Sequence, residues 1–207
     1  MSAVYQLYGG GVARDVIVRM LLDEGDIPWE QIPVDFEAGE HRSEDYLAIN
    51  PNGRVPAMDD DGFVLFESLA INQYLAKKNP SSSLAPASQH EEALASQWSI
   101  WALTELEAAI ITLVTRHPNV AMFPPDEALE SDARTTLDRP LKVLDAHLAD
   151  RDWLIADRFT VADLNVAGVM YLGTIAELDL ANYPNVADWL DRCLSRPALG
   201  AAQHAAD

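Results

Sequence analysis

The stretch from Asn50 to Ala76, NPNGRVPAMDDDGFVLFESLAINQYLA, predicts a turn, a β-hairpin and a helix start in direct succession. An Asn-Pro-Asn-Gly turn leads into the short apolar run 55–58, and a second turn at Asp61-Gly62 separates this run from the β-prone run 63–66. The proline inside the first run confines it to a sheet edge or to a place where no ladder hydrogen bond is needed. Backbone that is left unpaired at such a place can pair with a ligand.

Glu67 and Ser68 follow the second strand directly and open an apolar-periodic helix that runs to Lys77-Lys78. A helix N-terminus carries N–H groups without intrahelical partners and a partial positive charge, which together suit a carboxylate. A carboxylate side chain beside those donors can hold an ammonium, so the pair can grip both charges of an amino-acid zwitterion. The residue types alone favour a structural role, in which Ser68 caps the helix and Glu67 complements its dipole.

The composition is that of a globular protein with room for one large or two small domains. The chain has 207 residues, of which 49% are hydrophobic, and its 14 basic and 33 acidic residues give a net charge of −19. This acidity argues against binding a nucleic-acid backbone or an anionic membrane surface. The longest apolar runs fall far short of a membrane span, and residues 1–8 lack the pattern of a signal sequence. We therefore expect a cytoplasmic protein.

The single cysteine, Cys193, excludes an internal disulfide, a Cys-x-x-Cys redox pair and a cysteine-rich zinc site. Cys193 lies in a helical pattern, and we expect it to be a small buried apolar residue. The five histidines follow no metal-ligand spacing; they are His41, His90, His117, His147 and His204. The sequence therefore predicts no metal site.

The order of the predicted elements divides the chain into two domains. A strand at 4–8 ends at three glycines, a helix follows from Val12, and a second strand and a short helix are predicted near 29–34 and 43–48. With the hairpin and the helix after it, the first eighty residues read β-α-β-α-β-β-α, which is typical of a mixed sheet flanked by helices.

The rest of the chain contains no convincing strand. We place the first domain at 1–80, a linker at about 79–85 and an all-helical second domain at 86–207. The clearest helix start is a Thr-x-x-Asp capping box at Thr160 and Asp163, to which we assign a structural role. The four predicted helices of this domain are 89–116, 126–148, 161–178 and 186–195.

Three motifs carry a resemblance to a known family: GEHRS at 39–43, NPNGRVP at 50–56, and LFES at 65–68 followed by Ala70-Ile71. Together with the capping box and the order of the domains, they resemble the cytosolic glutathione transferases over nearly the whole chain, most of all phi- and theta-like bacterial members. The resemblance implies an α+β protein, with a thioredoxin-like mixed-sheet domain followed by an all-α helical-bundle domain. It also implies a homodimer that acts in detoxification.

The resemblance implies that the first domain binds glutathione as a co-substrate. Pro56 would be cis, and Val55 would pair its backbone with the cysteinyl part of the tripeptide. Glu67 and Ser68 would hold the γ-glutamyl end, as the local argument also allows.

The glycyl carboxylate is assigned by the resemblance to His41 and Arg42, with Arg54 placed to assist. Without the resemblance, His41 and Arg42 are interpreted as a solvated helix start. Arg14, Arg42 and Arg54 are three of only six basic residues before Pro80, so positive charge is concentrated where an anionic tripeptide would bind.

The thiol-activating group departs from the family pattern. In phi-like members a serine that stabilises the thiolate stands five residues after the tyrosine at the end of the first strand, and here that position is Ala13. Tyrosine-type classes use the strand-end tyrosine itself, which makes Tyr8 the catalytic candidate, with a packing role as its alternative. A third possibility is activation by backbone N–H groups near Ala13 and Arg14 at the helix start.

The implied reaction is conjugation of the glutathione thiolate to small hydrophobic electrophiles, with peroxide reduction as a possible second activity. A thiol has an ordinary pKa near ~8.5, so a donor aimed at the sulfur raises the thiolate fraction at neutral pH. We expect an apolar pocket for the electrophile and assign its wall to Val12, Trp101, Ile110 and Val114. Such generic apolar side chains do not specify which electrophile is used.

Two other functions stay open on the sequence. The missing serine at Ala13 is compatible with a catalytically silent glutathione-binding or protein-interaction module. A glutathione-dependent disulfide reductase is the second alternative, with bound glutathione as its only thiol, because Cys193 lies too far along the chain to be a site cysteine. Binding of glutathione without turnover of an electrophile distinguishes the silent module from the transferase.

Overall fold

Four strands in the N-terminal part of the chain form one mixed sheet: β1 (Tyr5–Gly9), β2 (Trp29–Pro33), β3 (Ala57–Asp60) and β4 (Phe63–Phe66). The strand order is β2-β1-β3-β4, in which β1 pairs in parallel with β2 and antiparallel with β3. Because parallel neighbours need a crossover connection, helix α1 (Arg14–Glu24) joins β1 to β2. The computed structural model describes residues 4–10 and 14–199.

The remaining helices of this part are α2 (Glu44–Ile49) and α3 (Ser68–Lys78), so the predicted order β-α-β-α-β-β-α is confirmed. Apolar side chains of β1, β3 and α3, among them Leu7, Met58 and Ile71, are fully buried in its core. Helices α1 and α3 pack against each other, and the side-chain amide of Asn72 donates to the carbonyl of Ile17 at 3.2 Å. The hairpin and the N-terminal strand therefore share one core.

The predicted hairpin is present, and its turn has the expected geometry. Asp61 and Gly62 both adopt positive φ, at 53° and 89°, which is the combination that a two-residue type I′ loop requires. The Gly62 N–H donates to a carboxylate oxygen of Asp59 at 2.6 Å. The first strand begins at Ala57, after the proline, because Pro56 has no N–H to offer to the ladder.

By their contacts, the described residues divide into two compact units: one comprises the described residues up to Ala85 together with 197–199, and the other runs from Pro86 to Arg196. The second unit is helical within the described chain. Its elements are α4 (Gln89–Trp101), a π-helical segment (Ala102–Glu107), α5 (Ala108–Arg116), α6 (Glu127–Leu148), α7 (Val161–Ile175) and α8 (Pro184–Leu194).

Two helix termini in this unit differ from the sequence prediction by two residues or more. Helix α7 ends at Ile175 instead of 178, because Glu177 adopts a φ of 52° and the Leu178 N–H returns to the carbonyl of Gly173 at 3.0 Å. Helix α8 starts two residues early, at Pro184, because proline lacks only an N–H that the first helical turn leaves unpaired.

The capping box that opens α7 is confirmed. The Thr160 N–H donates to Asp163 Oδ2 at 3.0 Å, and the Thr160 hydroxyl accepts from the Ala162 N–H at 3.3 Å. The other carboxylate oxygen of Asp163 accepts from the Leu154 N–H at 2.8 Å and from the indole N–H of Trp189 at 3.1 Å. A fully buried side chain therefore ties α7, the loop before it and α8 together.

The run Gln89–Arg116 is long and apolar enough to cross a membrane by length and composition, and 44% of its apolar window is buried. The sequence interpretation did not anticipate it, because glutamates interrupt its apolar residues. This is weak evidence, since core helices pass the same criterion.

Among the described residues, no group of three or more His, Cys, Asp or Glu is placed to hold a metal ion. Cys193 is fully buried, as predicted.

Candidate functional site

One edge of the sheet brings the predicted binding motifs together. Tyr8 faces Ala57 across the β1–β3 pair, and Ala57 faces Phe66 across the β3–β4 pair. Val55-Pro56 precede β3 and Glu67-Ser68 follow β4, so the two pairs lie at the same end of the hairpin, beside the end of β1. The Val55–Pro56 bond is cis, as the resemblance implies, and the ladder starts at Ala57, so the backbone of Val55 stands outside it.

The residue before α3 has an unusual backbone conformation. Glu67 has φ 72° and ψ 107°, a region that residues other than glycine seldom adopt. In this conformation its carbonyl accepts hydrogen bonds from the N–H groups of Ala70 and Ile71, at 3.0 and 2.9 Å, while its side chain is exposed. Ser68, the first residue of α3, is buried. Glu67 thus begins the helix and keeps its carboxylate in reach of a ligand.

Arg14 brings a cation to this helix start. Its Nη1 lies 3.5 Å from the hydroxyl oxygen of Ser68, and its side chain is half-buried. Burial lowers the pKa of Arg14 to about 10, and the negative charge of Glu67 acts in the opposite direction. The guanidinium is therefore charged at neutral pH. A cation, a hydroxyl and an exposed carboxylate lie together where the sequence placed the γ-glutamyl end.

The turn before the cis peptide is fixed by three polar groups. The side-chain amide of Asn50 donates to the carbonyl of Arg54 at 2.6 Å, and its oxygen accepts from the Asn52 N–H at 3.1 Å. The hydroxyl of Tyr46 donates to the same Arg54 carbonyl at 2.7 Å, and burial raises the pKa of Tyr46 to about 12, which keeps this donor protonated. The backbone that leads into Val55 is therefore held from two sides.

His41 lies against this turn. A Cβ at Gly53 would come within 2.9 Å of the His41 carbonyl oxygen, so the close approach requires a glycine, which has φ 58° there. The ring of His41 stacks on Phe36 at 4.4 Å, and its Nδ1 is buried without a hydrogen-bond partner in the described part of the chain. A buried, unsatisfied ring nitrogen is suited to a ligand oxygen. The side chains of Arg42 and Arg54 are exposed.

Tyr8 lies on β1, and its hydroxyl is directed towards Gln6 on the same strand. The hydroxyl donates to the side-chain oxygen of Gln6 at 3.5 Å, two residues back along β1, and the ring lies 6.3 Å from that of Tyr46. Burial raises the pKa of Tyr8, and the negative charges of Asp59 and Glu30 raise it further. The charged groups that act on this hydroxyl are therefore both carboxylates.

The remaining predicted positions divide into three groups. Val12 and Ala13 lie outside the described residues. Ile110 and Val114 are buried in the helical unit, at 0% and 7% exposure, whereas Trp101 is half-buried and packs edge-on against Trp98 at 5.0 Å. Among the described residues of the predicted pocket wall, Trp101 therefore has accessible surface, whereas Ile110 and Val114 are buried.

Sequence reasoning missed the contacts that position the site. It grouped Arg14 with other cations but did not pair it with Ser68, it gave Tyr46 no part, and it treated Asn50 only as the first residue of a turn. A signal for Asn50 was available, because an asparagine that opens an Asn-Pro-Asn-Gly turn commonly bonds the backbone two residues on. The Arg14–Ser68 pair joins residues 54 positions apart, and no local pattern carries that information.

Two family models match the chain. The glutathione S-transferase N-terminal domain matches residues 3–77, and the glutathione S-transferase C-terminal domain matches residues 103–197. A probable glutathione S-transferase GSTF2 of Oryza sativa subsp. japonica is 32% identical over 202 residues, covering 95% of this chain and 94% of the relative. Glutathione S-transferase GstB of Escherichia coli strain K12 is 33% identical over 192 residues, covering 88% of each chain.

Solved structures of the same kind superpose closely. Glutathione transferase F7 from Populus trichocarpa has a TM-score of 0.89 at 28% identity and covers 99% of this chain and 100% of its own. A glutathione transferase family member from Pseudomonas fluorescens pf-5, solved with two glutathione molecules bound, has a TM-score of 0.84 at 26% identity and covers 98% of this chain and 93% of its own.

Proposed function

Because the chain belongs to the glutathione S-transferase family, we propose that its N-terminal unit binds glutathione along the edge formed by Val55, Glu67 and Ser68. The bound thiolate is joined to small hydrophobic electrophiles. The observation that carries the residue assignment is the position of Arg14, whose guanidinium lies beside Ser68 and near the charge of Glu67. Each of the three residues of glutathione then faces a protein group that can bind it, by charge or by hydrogen bonding.

The γ-glutamyl zwitterion is held at the start of α3. Ser68 and the guanidinium of Arg14 bind its α-carboxylate, with help from the positive end of the helix. The exposed carboxylate of Glu67 binds its α-ammonium. Charge-assisted hydrogen bonds of this kind are roughly twice as strong as neutral ones, so these three side chains dominate the affinity.

The other two parts of the tripeptide lie along the turn. The backbone of Val55, which precedes the ladder, pairs with the cysteinyl residue in the manner of an added strand. Pro56 holds that backbone by its cis bond. The buried Nδ1 of His41 donates to the glycyl carboxylate, and the exposed guanidinium groups of Arg42 and Arg54 add positive charge.

Thiol activation is assigned to the start of α1, near Ala13 and Arg14, in preference to Tyr8. A cation close to the sulfur favours the thiolate and lowers the pKa of the thiol. The charges nearest the Tyr8 hydroxyl are those of Asp59 and Glu30, and a thiolate placed there would be destabilised by both. Tyr8 therefore serves as a packing residue beside Tyr46.

Besides an activated thiolate, the conjugation reaction needs a bound electrophile. The thiolate attacks the electrophilic carbon, a carbon–sulfur bond forms, and the leaving group departs with its electron pair. The electrophile is held by apolar side chains, for which the half-exposed Trp101 is the described candidate. Ile110 and Val114 are buried in α5.

We also propose a cytoplasmic homodimer. The resemblance to the cytosolic members of the family supports both statements. Light scattering coupled to size exclusion tests the assembly, and a monomer at micromolar concentration contradicts it.

The experiment that tests the function is conjugation of glutathione to chlorodinitrobenzene. We expect the native protein and Tyr8→Phe to turn over within about twofold of each other, and Arg14→Gln to lose about tenfold or more in kcat/KM. Arg134→Gln, which removes an exposed cation on α6, is the matched control and is expected to keep native activity. Glutathione binding without turnover in the native protein would instead identify the silent module.

A further inference from the structure

A cavity of about 550 Å³ opens on the helical unit beside the loop 150–157. Its volume lies in the range of small-molecule sites. Apolar side chains from α4 and from this loop form one part of the wall, and acidic side chains with a single arginine form another. The residues that line the cavity are Leu94, His147, Asp150, Arg151, Asp152, Trp153, Leu154, Ile155, Ala156 and Asp157. None of them belongs to the glutathione site proposed above.

The wall of the cavity is fixed by buried hydrogen bonds. The Leu154 N–H donates to Asp163 at 2.8 Å, and the Leu154 carbonyl accepts from Nε2 of His147 at 2.8 Å. The ring of Trp153 packs edge-on against Phe159 at 5.3 Å. A loop held at both polar groups of its central residue keeps its shape, so the cavity is formed before any ligand arrives.

The charges around the cavity do not cancel. Asp150 is paired with Arg151 at 2.7 Å, and Asp152 lies 3.6 Å from a guanidinium nitrogen of Arg192. Asp157 is exposed, and its carboxylate makes no hydrogen bond or ion pair with another described residue. One negative charge at the rim is therefore left for a ligand.

We propose that this cavity binds an organic cation with an apolar body, of the arylalkylammonium class. The apolar body lies against Leu94, Trp153 and Ile155, and the ammonium is placed at the Asp157 carboxylate. The occupant follows from charge complementarity, since the wall offers apolar surface and the rim offers one carboxylate without a protein partner. This is a binding site separate from the transferase reaction.

The test is calorimetry with three probes that share one apolar body: phenylbutylammonium, phenylbutanol and phenylbutyrate. We expect the ammonium to bind about tenfold more tightly than the alcohol and the carboxylate to bind least. Asp157→Asn is expected to bring the ammonium to the affinity of the alcohol. The control is Asp132→Asn, which removes an exposed carboxylate on α6 about 22 Å along the helix from His147.

Both variants change exposed side chains, and thermal unfolding checks that each is folded. Equal affinities of the three probes for the native protein would overturn the proposal, as would the absence of heat with the ammonium. An equal loss of ammonium binding in Asp157→Asn and Asp132→Asn would also overturn it, because it would trace the binding to the overall acidity. We expect Asp157→Asn to bind glutathione as the native protein does, so that loss of ammonium binding is distinguished from loss of the proposed glutathione site.

Discussion

The guanidinium Nη1 of Arg14 lies 3.5 Å from the hydroxyl oxygen of Ser68, although the two residues are 54 positions apart in the chain. Arg14 stands in α1 and Ser68 opens α3, so the pair joins a cation to the start of a second helix. The partial positive charge of a helix start adds to that of the guanidinium. The pair places positive charge beside the exposed carboxylate of Glu67, in a protein with a net charge of −19.

The first prediction concerns the ionisation of bound glutathione. Replacing Arg14 by Gln removes the cation that favours the thiolate, so we expect the pKa of the bound thiol to rise by about one unit. Tyr8→Phe is expected to leave that pKa unchanged. The measurement is the ultraviolet absorbance of the thiolate as a function of pH, at saturating glutathione. A rise in Tyr8→Phe with none in Arg14→Gln would return the role to the tyrosine.

The second prediction concerns the turn that presents Val55. The carbonyl of Arg54 accepts from both Tyr46 and Asn50, so Tyr46→Phe leaves it one donor and is expected to weaken glutathione binding only about threefold. Asn50→Ala removes a donor to Arg54 and the acceptor of the Asn52 N–H, so a loss of about tenfold or more is expected. Equal effects of the two substitutions on the dissociation constant would show that the turn is not held in this way.

Much of the first unit follows from local sequence signals. Asp61-Gly62 predicts the hairpin because few residue pairs adopt positive φ at both central positions, and the structure has that turn. In the helical unit, the Thr160–Asp163 box is predictable for a similar reason, since its hydrogen bonds join residues two or three positions apart. The cis bond at Pro56 was predicted from the family resemblance, because the residue types alone indicate only a sheet edge or a place where no ladder hydrogen bond is needed, and the second applies, since β3 lies inside the sheet and begins after Pro56.

The third prediction concerns the buried carboxylate of Asp163. It accepts hydrogen bonds from Leu154, Thr160 and Trp189, so Asp163→Asn places an amide donor against donors that lose their acceptor. We expect the free energy of unfolding to fall by about 3 kcal/mol. Urea denaturation measures it, with the exposed Asp132→Asn as the matched control. A loss below about 0.5 kcal/mol would remove Asp163 from the determinants of the helical unit.

The fourth prediction concerns acid stability. Burial by itself would raise the pKa of Asp60, but hydrogen bonds from Lys78 and Tyr74 outweigh it and hold the pKa below its ordinary value. Because the folded pKa is the lower one, this carboxylate stabilises the fold above the unfolded pKa of about 3.9, and its contribution is lost as the pH falls through the folded value.

We therefore expect Asp60→Asn to flatten the decline of stability below about pH 4. Urea denaturation at a series of pH values gives the free energy of unfolding of both proteins. Parallel curves, with the same slope at acid pH, would show that Asp60 titrates alike in the folded and unfolded chain.

The parts of the site that the sequence did not predict depend on long-range geometry. Tyr8 lies at the expected position on β1, but its hydroxyl donates to Gln6, and its pKa is raised first by burial and then by the charges of Asp59 and Glu30, which lie on other strands. Ile110 and Val114 fit an apolar wall by type, yet both are buried within their own unit. Residue type at the family spacing predicts which residues are candidates for the site, whereas their burial and the neighbouring charges decide which role each candidate is suited to.

The central claim is that the start of α3, with Arg14, holds the γ-glutamyl zwitterion, and calorimetry with two glutathione analogues tests it most directly. Glutaryl-cysteinyl-glycine lacks the α-ammonium, and γ-aminobutyryl-cysteinyl-glycine lacks the α-carboxylate. We predict that Glu67→Gln weakens glutathione about tenfold but leaves the glutaryl analogue unchanged, and that Arg14→Gln weakens glutathione by a larger factor than it weakens the aminobutyryl analogue. Equal losses for all three ligands in either variant would contradict the assignment.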